Sequence, residues 1–340
     1  MRVLFVTNMY PTPTRTNFGI IVRRLEAALK NIGVEVRVEA IAGERGATDY
    51  LLARRRVAAS AQEFRPDVVH AHFGYSALAT TSSLPRVVSF YGDDLNGEAN
   101  GRGSITMRSR VGRYVSWWAA LACERSIAVS AALRSTLAVS SARDRCEVLR
   151  DGVDTKLFSP GDRLAARCRL GMAADEMLVL FPHAVHIPTK RVDLAHAAID
   201  VLRREGTPAR LWVVNGRAPD EMPDYYRAAD VLVVTSELEG GPSSVKEALA
   251  CGLPVVSVPV GDVDTLREVP SHCFVAERDP SSIAAKLLLA LQKRTHDRSS
   301  LLPAGLSLSE TAEKLLLVYE DAIRRWRSAH RSDARAGAAT

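Results

Sequence analysis

The sequence predicts an α/β protein of two Rossmann-like domains, each a parallel sheet covered by helices. Three observations lead there. Short apolar runs of strand length alternate with longer amphipathic stretches. That alternation breaks and then restarts around Asp151 to Gly161, where Asp-Gly and Ser-Pro-Gly turn signals cluster. A chain of 340 residues, 47% hydrophobic and 25% charged, is also long enough for two cores of ordinary size.

Arg2 to Val6 reads as a buried strand. A polar loop, Asn8 to Gly19, leads to a helix over Ile20 to Ile32 that Gly33 closes. Val34 to Val38 alternates as a strand does, and Tyr50 to Phe64 is helical with a basic run at Arg54 to Arg56. Strands are expected at Val68 to His70, Val87 to Phe90 and Ile127 to Val129, and a helix at Gly112 to Ala122 carries Trp117 and Trp118. The pattern then begins again. Strands are expected at Met177 to Phe181, Leu211 to Val214, Val231 to Val234 and Val255 to Val258. Helices are expected at Val192 to Arg204, Ser244 to Cys251 and Ser281 to Gln292. Near the end, Leu315, Leu316, Tyr319, Ile323 and Trp326 recur at helical spacing. The expected division is 1–155, 156–308, a terminal helix over 309–327 and a loose tail over 328–340, rich in Ala, Arg, Ser and Gly.

Charge is unevenly spread. Residues 1–155 hold 21 Lys/Arg against 15 Asp/Glu, a balance of +6, and residues 156–340 hold 24 of each. A basic half suits a phosphate-rich partner, an anionic membrane surface reached from inside the cell included. Without a zinc pattern, an RNA-binding signature or an aromatic platform, no nucleic-acid partner is expected. Five cysteines and no Cys-x-x-Cys pair argue for a reducing compartment and against a disulfide frame or structural zinc. The chain opens directly into a strand-like run, so neither a signal peptide nor a membrane span is expected, and the protein is placed in the cytoplasm.

Open parallel sheets bind ligands at the carboxyl ends of their strands. The loop after Val231 to Val234 is the richest such place. Gly240 and Gly241 let backbone approach a ligand, and Pro242 fixes the turn. The amides of Ser243, Ser244 and Val245 then open a helix, where an anion is favoured. Glu239 and Glu247 flank this core, one suited to the sugar end of a ligand and the other to a ribose hydroxyl pair. Ser244-Val-Lys-Glu247 is also a capping-box pattern, which would tie Glu247 to the helix start instead. His70 and His72 share a strand face with no third ligand evident, so no metal site is expected and a cleft-lining role is preferred.

The spacing from Glu239 to Glu247, followed by Ala248-Leu-Ala-Cys-Gly252-Leu-Pro254, resembles the hallmark of the family 4 glycosyltransferases (glycosyl transferases group 1). Phe18-Gly19-Ile20, Pro66-Asp67-Val-Val-His70-Ala-His72, Tyr91-Gly92-Asp93-Asp94 and Lys190-Arg191 resemble further segments of that family in the same order. The resemblance implies a GT-B fold, two Rossmann-like domains facing across a cleft, with the terminal helix crossing back to the first. It implies retaining transfer of a hexose or N-acetylhexosamine from a nucleotide-diphosphate sugar to a glycan, lipid-linked or small-molecule acceptor. Such an enzyme serves polysaccharide or glycolipid biosynthesis and needs no cofactor or metal. Lys190 would meet the leaving phosphates and Glu239 the donor sugar, with Asp93 or Asp94 orienting the acceptor. Gly19 and the 240–247 segment would complete the donor site, with His186 or Arg191 standing in for an arginine that the family usually has beside its lysine, and His72 and Tyr91 the acceptor side. Two other readings of the same fold are a nucleotide-sugar epimerase and a non-catalytic nucleotide- or glycan-binding protein.

The sequence departs from the family in three places. No arginine stands four or five residues before Lys190, where Val185 and His186 are found. Tyr91 stands where the family often has histidine, and tyrosine is a poor base near neutrality. Only Gly216 to Asp230 separates two strands where the family fits an extra helix and strand, so Asn215 to Ala218 is the expected substitute for base recognition.

Overall fold

In a computed structural model, residues 1–13, 15, 18–44, 46–97, 106–266, 272–292 and 298–336 are described, with backbone alone at 108 and 331–336. The chain divides into two units, Met1–Gly152 with Leu308–Thr340, and Val153–Ser307.

The first unit contains β1 (Arg2–Thr7), α1 (Ile20–Asn31), β2 (Glu35–Ala40), α2 (Ala47–Phe64), β3 (Val68–His72), β4 (Arg86–Phe90), α3 (Asp93–Asn96), α4 (Met107–Ala122), β5 (Arg125–Ala128), α5 (Ala131–Ser135), α6 (Ser140–Asp144) and β6 (Cys146–Val148). Its sheet runs in the order β2-β1-β3-β4-β5-β6, and every pairing is parallel. The near-continuous apolar sequence of β1 follows from burial on both faces. The short β6 carries too few apolar residues to stand out in the sequence.

The second unit contains α7 (Arg163–Leu170), β7 (Met177–Phe181), α8 (Val192–Arg204), β8 (Ala209–Val213), α9 (Met222–Ala228), β9 (Val231–Val234), α10 (Ser243–Ala250), β10 (Val255–Ser257), α11 (Val263–Leu266), β11 (Cys273–Val275) and α12 (Pro280–Gln292). Its sheet order is β11-β10-β9-β7-β8, again parallel throughout. A buried ionic knot anchors α7 to this sheet. Asp230 accepts from Arg163 Nε at 3.0 Å, Arg167 Nη2 at 2.8 Å and the Leu178 amide at 2.8 Å. Between β8 and β9 the chain forms only α9, the compact connection expected from its length.

The last helix, α13 (Leu308–Ala336), returns to the first unit and packs on α1, β3, β4 and β5. Leu315 and Tyr319 are fully buried there, and Trp326 Nε1 donates to the Ser82 carbonyl at 3.2 Å. The helix continues past Arg327 to Ala336, beyond the start of the expected loose tail; 337–340 lie outside the described residues.

Candidate functional site

In the second unit the sheet order reverses between β7 and β9. That is the topological switch point, where a crevice opens at the strands' carboxyl ends. Lys190 follows β7 and Glu239 follows β9, and the fold brings them together. Lys190 Nζ donates to Glu239 Oε1 at 2.6 Å, and the two side chains are 20% and 14% exposed.

Backbone stitching holds the two loops in that relation. Thr235 Oγ1 donates to the carbonyls of Lys190 at 2.9 Å and Arg191 at 2.8 Å, and the Glu237 amide donates to the Thr189 carbonyl at 2.8 Å. From the other side Arg278 donates to the carbonyls of Ser236, Glu237 and Pro259. Gly261, at φ 57°, closes against the glycine loop. A Cβ there would lie 2.9 Å from Pro242 Cδ and 3.1 Å from the Gly240 carbonyl oxygen. This packing explains the glycine in Val260-Gly261-Asp262. Below it Lys246 and Asp262 form a fully buried ion pair at 3.4 Å.

The expected donor-side residues divide. Ser243 and Ser244 are the first residues of α10, so by position their amides have no acceptor within the helix. Val245 departs from the expectation: its side chain is fully buried and its amide donates to the Pro242 carbonyl at 3.2 Å. The capping-box alternative is not realised. Pro242 is the N-cap, no side chain caps the helix, and Glu247 accepts from the Tyr226 hydroxyl at 2.9 Å. Arg191 is engaged away from Lys190, paired with Asp193 at 2.8 Å and with Glu237 at 3.2 Å. His186 is exposed on the loop after β7. In the Asn215 to Ala218 stretch Arg217 sits 5.7 Å from the centre of the Tyr225 ring.

His183 was not anticipated. It lies close enough to Lys190 and Glu239 to feel both charges, and burial, aided by Lys190, pushes its pKa down to about 4. The imidazole is therefore neutral near pH 7. Its buried Nε2 has no hydrogen-bond partner among the described residues. A single histidine in a loop carries no periodic signal that would have separated it from its neighbours.

In the first unit the sheet order reverses between β1 and β3. A pocket of about 210 Å³ lies at the strands' carboxyl ends, lined by Asn8 after β1, Gly43 after β2, Phe73 and Tyr75 after β3, and Asp93 and Asp94 after β4, with Tyr50, Ser109 and Gly112 from the adjoining helices. Tyr75 stacks between Tyr50 and Phe73, at ring distances of 5.4 and 6.3 Å. Phe73 has φ 79°, a conformation that a bulky residue keeps only when its surroundings enforce it. Gly19, at φ 70°, opens α1; a Cβ there would fall 2.2 Å from the Met9 carbonyl carbon.

Two of the residues expected on the acceptor side are buried. Asp94 is buried, and its carboxylate accepts from the amides of Tyr91 at 3.1 Å and Gly92 at 3.0 Å. It shapes the loop, while Asp93 is exposed, and both residues line the pocket. Burial raises the Asp94 pKa to about 7. His72 is fully buried and hydrogen-bonded through Nδ1 to the Tyr91 hydroxyl at 2.7 Å, so Tyr91 covers it. His70 is buried too, with Nδ1 on the Tyr319 hydroxyl at 2.7 Å and Nε2 on Ser89 Oγ at 2.8 Å. Burial depresses the pKa of both histidines, that of His70 to about 3. No helix among the described residues is long and apolar enough to cross a membrane.

Comparison with known proteins agrees with this fold. Residues 2–157 match the model of Glycosyltransferase Family 4, and residues 200–293 match that of Glycosyl transferases group 1. A D-inositol 3-phosphate glycosyltransferase from Frankia alni is 34% identical over 221 residues, 53% of this chain and 54% of that protein. A namesake from Catenulispora acidiphila is 29% identical over 305 residues, 76% of this chain and 72% of that one. For most such relatives the matched stretch spans about half their length. Among solved structures, sucrose-phosphate synthase from Thermosynechococcus elongatus superposes with a TM-score of 0.72 at 16% identity, covering 98% of this chain and 99% of that one. The Anabaena protein HepE in complex with UDP gives 0.62 at 17% identity, covering 98% and 100%. Two parallel-sheet units of the GT-B type, matched by one family model each, lead to one conclusion: this chain belongs to the family 4, group 1 glycosyltransferases.

Proposed function

We propose that this chain is a retaining glycosyltransferase that moves a hexose or N-acetylhexosamine from a nucleotide-diphosphate sugar to a hydroxyl of a glycan, lipid-linked or small-molecule acceptor. The observation that carries the proposal is the Lys190–Glu239 pair at the switch point of the second sheet. A cation and a carboxylate placed side by side suit a ligand with an anionic and a polyhydroxyl part. Lys190 faces the phosphates, and Glu239 accepts from sugar hydroxyls. The first amides of α10 lie on the same loop and favour negative charge. Glu247, oriented by Tyr226, takes the ribose.

In the reaction the anomeric C–O bond to the diphosphate breaks and a C–O bond to the acceptor oxygen forms. The acceptor proton passes to an oxygen of the leaving diphosphate. Negative charge grows on that group as the bond breaks, and preorganised donors there lower the barrier. Lys190 and the backbone amides provide the stabilisation that a divalent cation provides elsewhere, so we expect activity to persist in EDTA. His183 fits as a neutral donor beside the pair, in place of the absent arginine. The pocket of the first unit takes the acceptor, in a cytoplasmic protein.

A thermal-shift screen with UDP, GDP, ADP, CDP and TDP identifies the base, because a ligand that binds only the folded state raises the midpoint. Transfer assays with the matching nucleotide sugars follow, with anomeric configuration read by NMR. An inverted product overturns the retaining mechanism. Turnover of a nucleotide sugar without any acceptor points to an epimerase.

A further inference from the structure

The helix α4 turns an apolar face to water. Gly112, Ser116, Ala119 and Ala120 on one side are buried against the unit. On the opposite side Met107 is 74% exposed, Val111 50%, Tyr114 66%, Trp118 47% and Leu121 39%. Their spacing of four, three, four and three residues aligns them in one stripe, about 21 Å long at 1.5 Å per residue. A helix on a globular surface ordinarily puts polar residues on that face.

The border of the stripe is cationic. Arg110 is exposed beside it, and the Arg113 guanidinium lies 5.4 Å from the centre of the Trp117 ring. No Asp or Glu occurs between Met107 and Ala122. The neighbouring α2 packs on the same 3-10 turn, Gly74–Ala79, and exposes Leu51 and Leu52 together with Arg54 and Arg55. The excess charge of +6 in residues 1–155 points the same way.

We propose that the outward face of α4, with the adjoining end of α2, docks this protein on a bilayer containing anionic lipid. Tryptophan and tyrosine suit the headgroup region, the aliphatic side chains reach the acyl boundary, and arginines pair with lipid phosphates. Charge decides against a second copy as the occupant. Two such helices would set arginine against arginine, with no carboxylate on either to offset it. The inner sides of the same helices line the first unit's pocket through Tyr50, Ser109 and Gly112. A docked molecule therefore holds that pocket at headgroup level, which makes the acceptor a lipid-borne hydroxyl. This last step alone rests on the glycosyltransferase reading.

The test is co-sedimentation of the full chain with phosphatidylcholine vesicles, with and without phosphatidylglycerol. Binding is expected only with the anionic lipid, weakening as salt screens the arginines. The double substitution Tyr114→Ser and Trp118→Ser, at exposed positions, should weaken binding by about tenfold or more at an unchanged melting temperature. Arg110→Glu should do likewise and stands in should the double variant misfold. No binding by the wild type overturns the proposal, as does equal binding by both variants. So does light scattering that shows a dimer which the double variant converts to monomer without any vesicle binding. Nucleotide binding by the second unit is measured apart from lipid, so failure of the docking and failure of the proposed activity are distinguishable.

Discussion

Replacing Lys190 with methionine keeps most of the side-chain volume and removes the charge. At 2.6 Å, with an effective dielectric of about 20, the gross attraction to Glu239 is on the order of 6 kcal/mol. Desolvation and residual exposure offset most of it, and a charged hydrogen bond of this kind contributes about 1.5–3 kcal/mol net. A double-mutant cycle on unfolding, with Lys190→Met and Glu239→Gln, should return a coupling in that range. Activity should fall further than stability. Loss of one preorganised donor to a developing anion costs about 10²–10³ in kcat, or about 2.7–4 kcal/mol. The assay is transfer from the nucleotide sugar chosen by thermal shift, with folding checked by circular dichroism. Suppose Lys190→Met lost stability as expected yet kept its transfer rate within about threefold, far short of that loss. Lys190 would then only prop Glu239, and the phosphate role assigned to it would be wrong.

Other outcomes follow from the same geometry. Asp230→Ala leaves Arg163 and Arg167 buried without their carboxylate, so a chemical-denaturation curve should show a loss of about 3–5 kcal/mol. Gly261→Ala forces a left-handed backbone on alanine at about 1–2 kcal/mol and presses on Pro242, so nucleotide affinity should drop while the first unit is unaffected. The pH dependence of stability contains opposing slopes. His70 has a depressed folded pKa, so its contribution is present above its unfolded value of 6.5 and is lost as the pH falls toward about 3. Asp94 has a raised folded pKa, so stability rises as the pH falls from about 7 toward 3.8. Asp94→Asn removes that compensation and should steepen the acid-side loss, read from urea midpoints across a pH series.

Much of this was legible because it is local. Val231 to Val234 announces a buried strand by its apolar run, and Gly240-Gly241-Pro242 announces a tight loop before a helix. Their succession places a binding loop at a strand's carboxyl end without any coordinates. Leu315 and Tyr319 likewise reveal a core-facing helix through 3.6-residue spacing alone. The short strands β6 and β11, of three residues each, gave no such signal, because their pairing comes from neighbouring strands rather than from their own pattern.

By itself, then, the sequence determined the alternation of elements, the two-sheet architecture and the loops that carry the candidate chemistry. Only the tertiary structure decided what each polar group meets. It set Lys190 against Glu239 across 49 residues and Tyr319 against His70 across 249. It gave Glu247 to Tyr226 rather than to the helix start, turned Asp94 inward and left the apolar side of α4 facing water. Periodicity is a property of neighbouring residues and can be read along the chain. A side chain's partner, and the burial that shifts its pKa, depend on which distant segments the fold brings beside it.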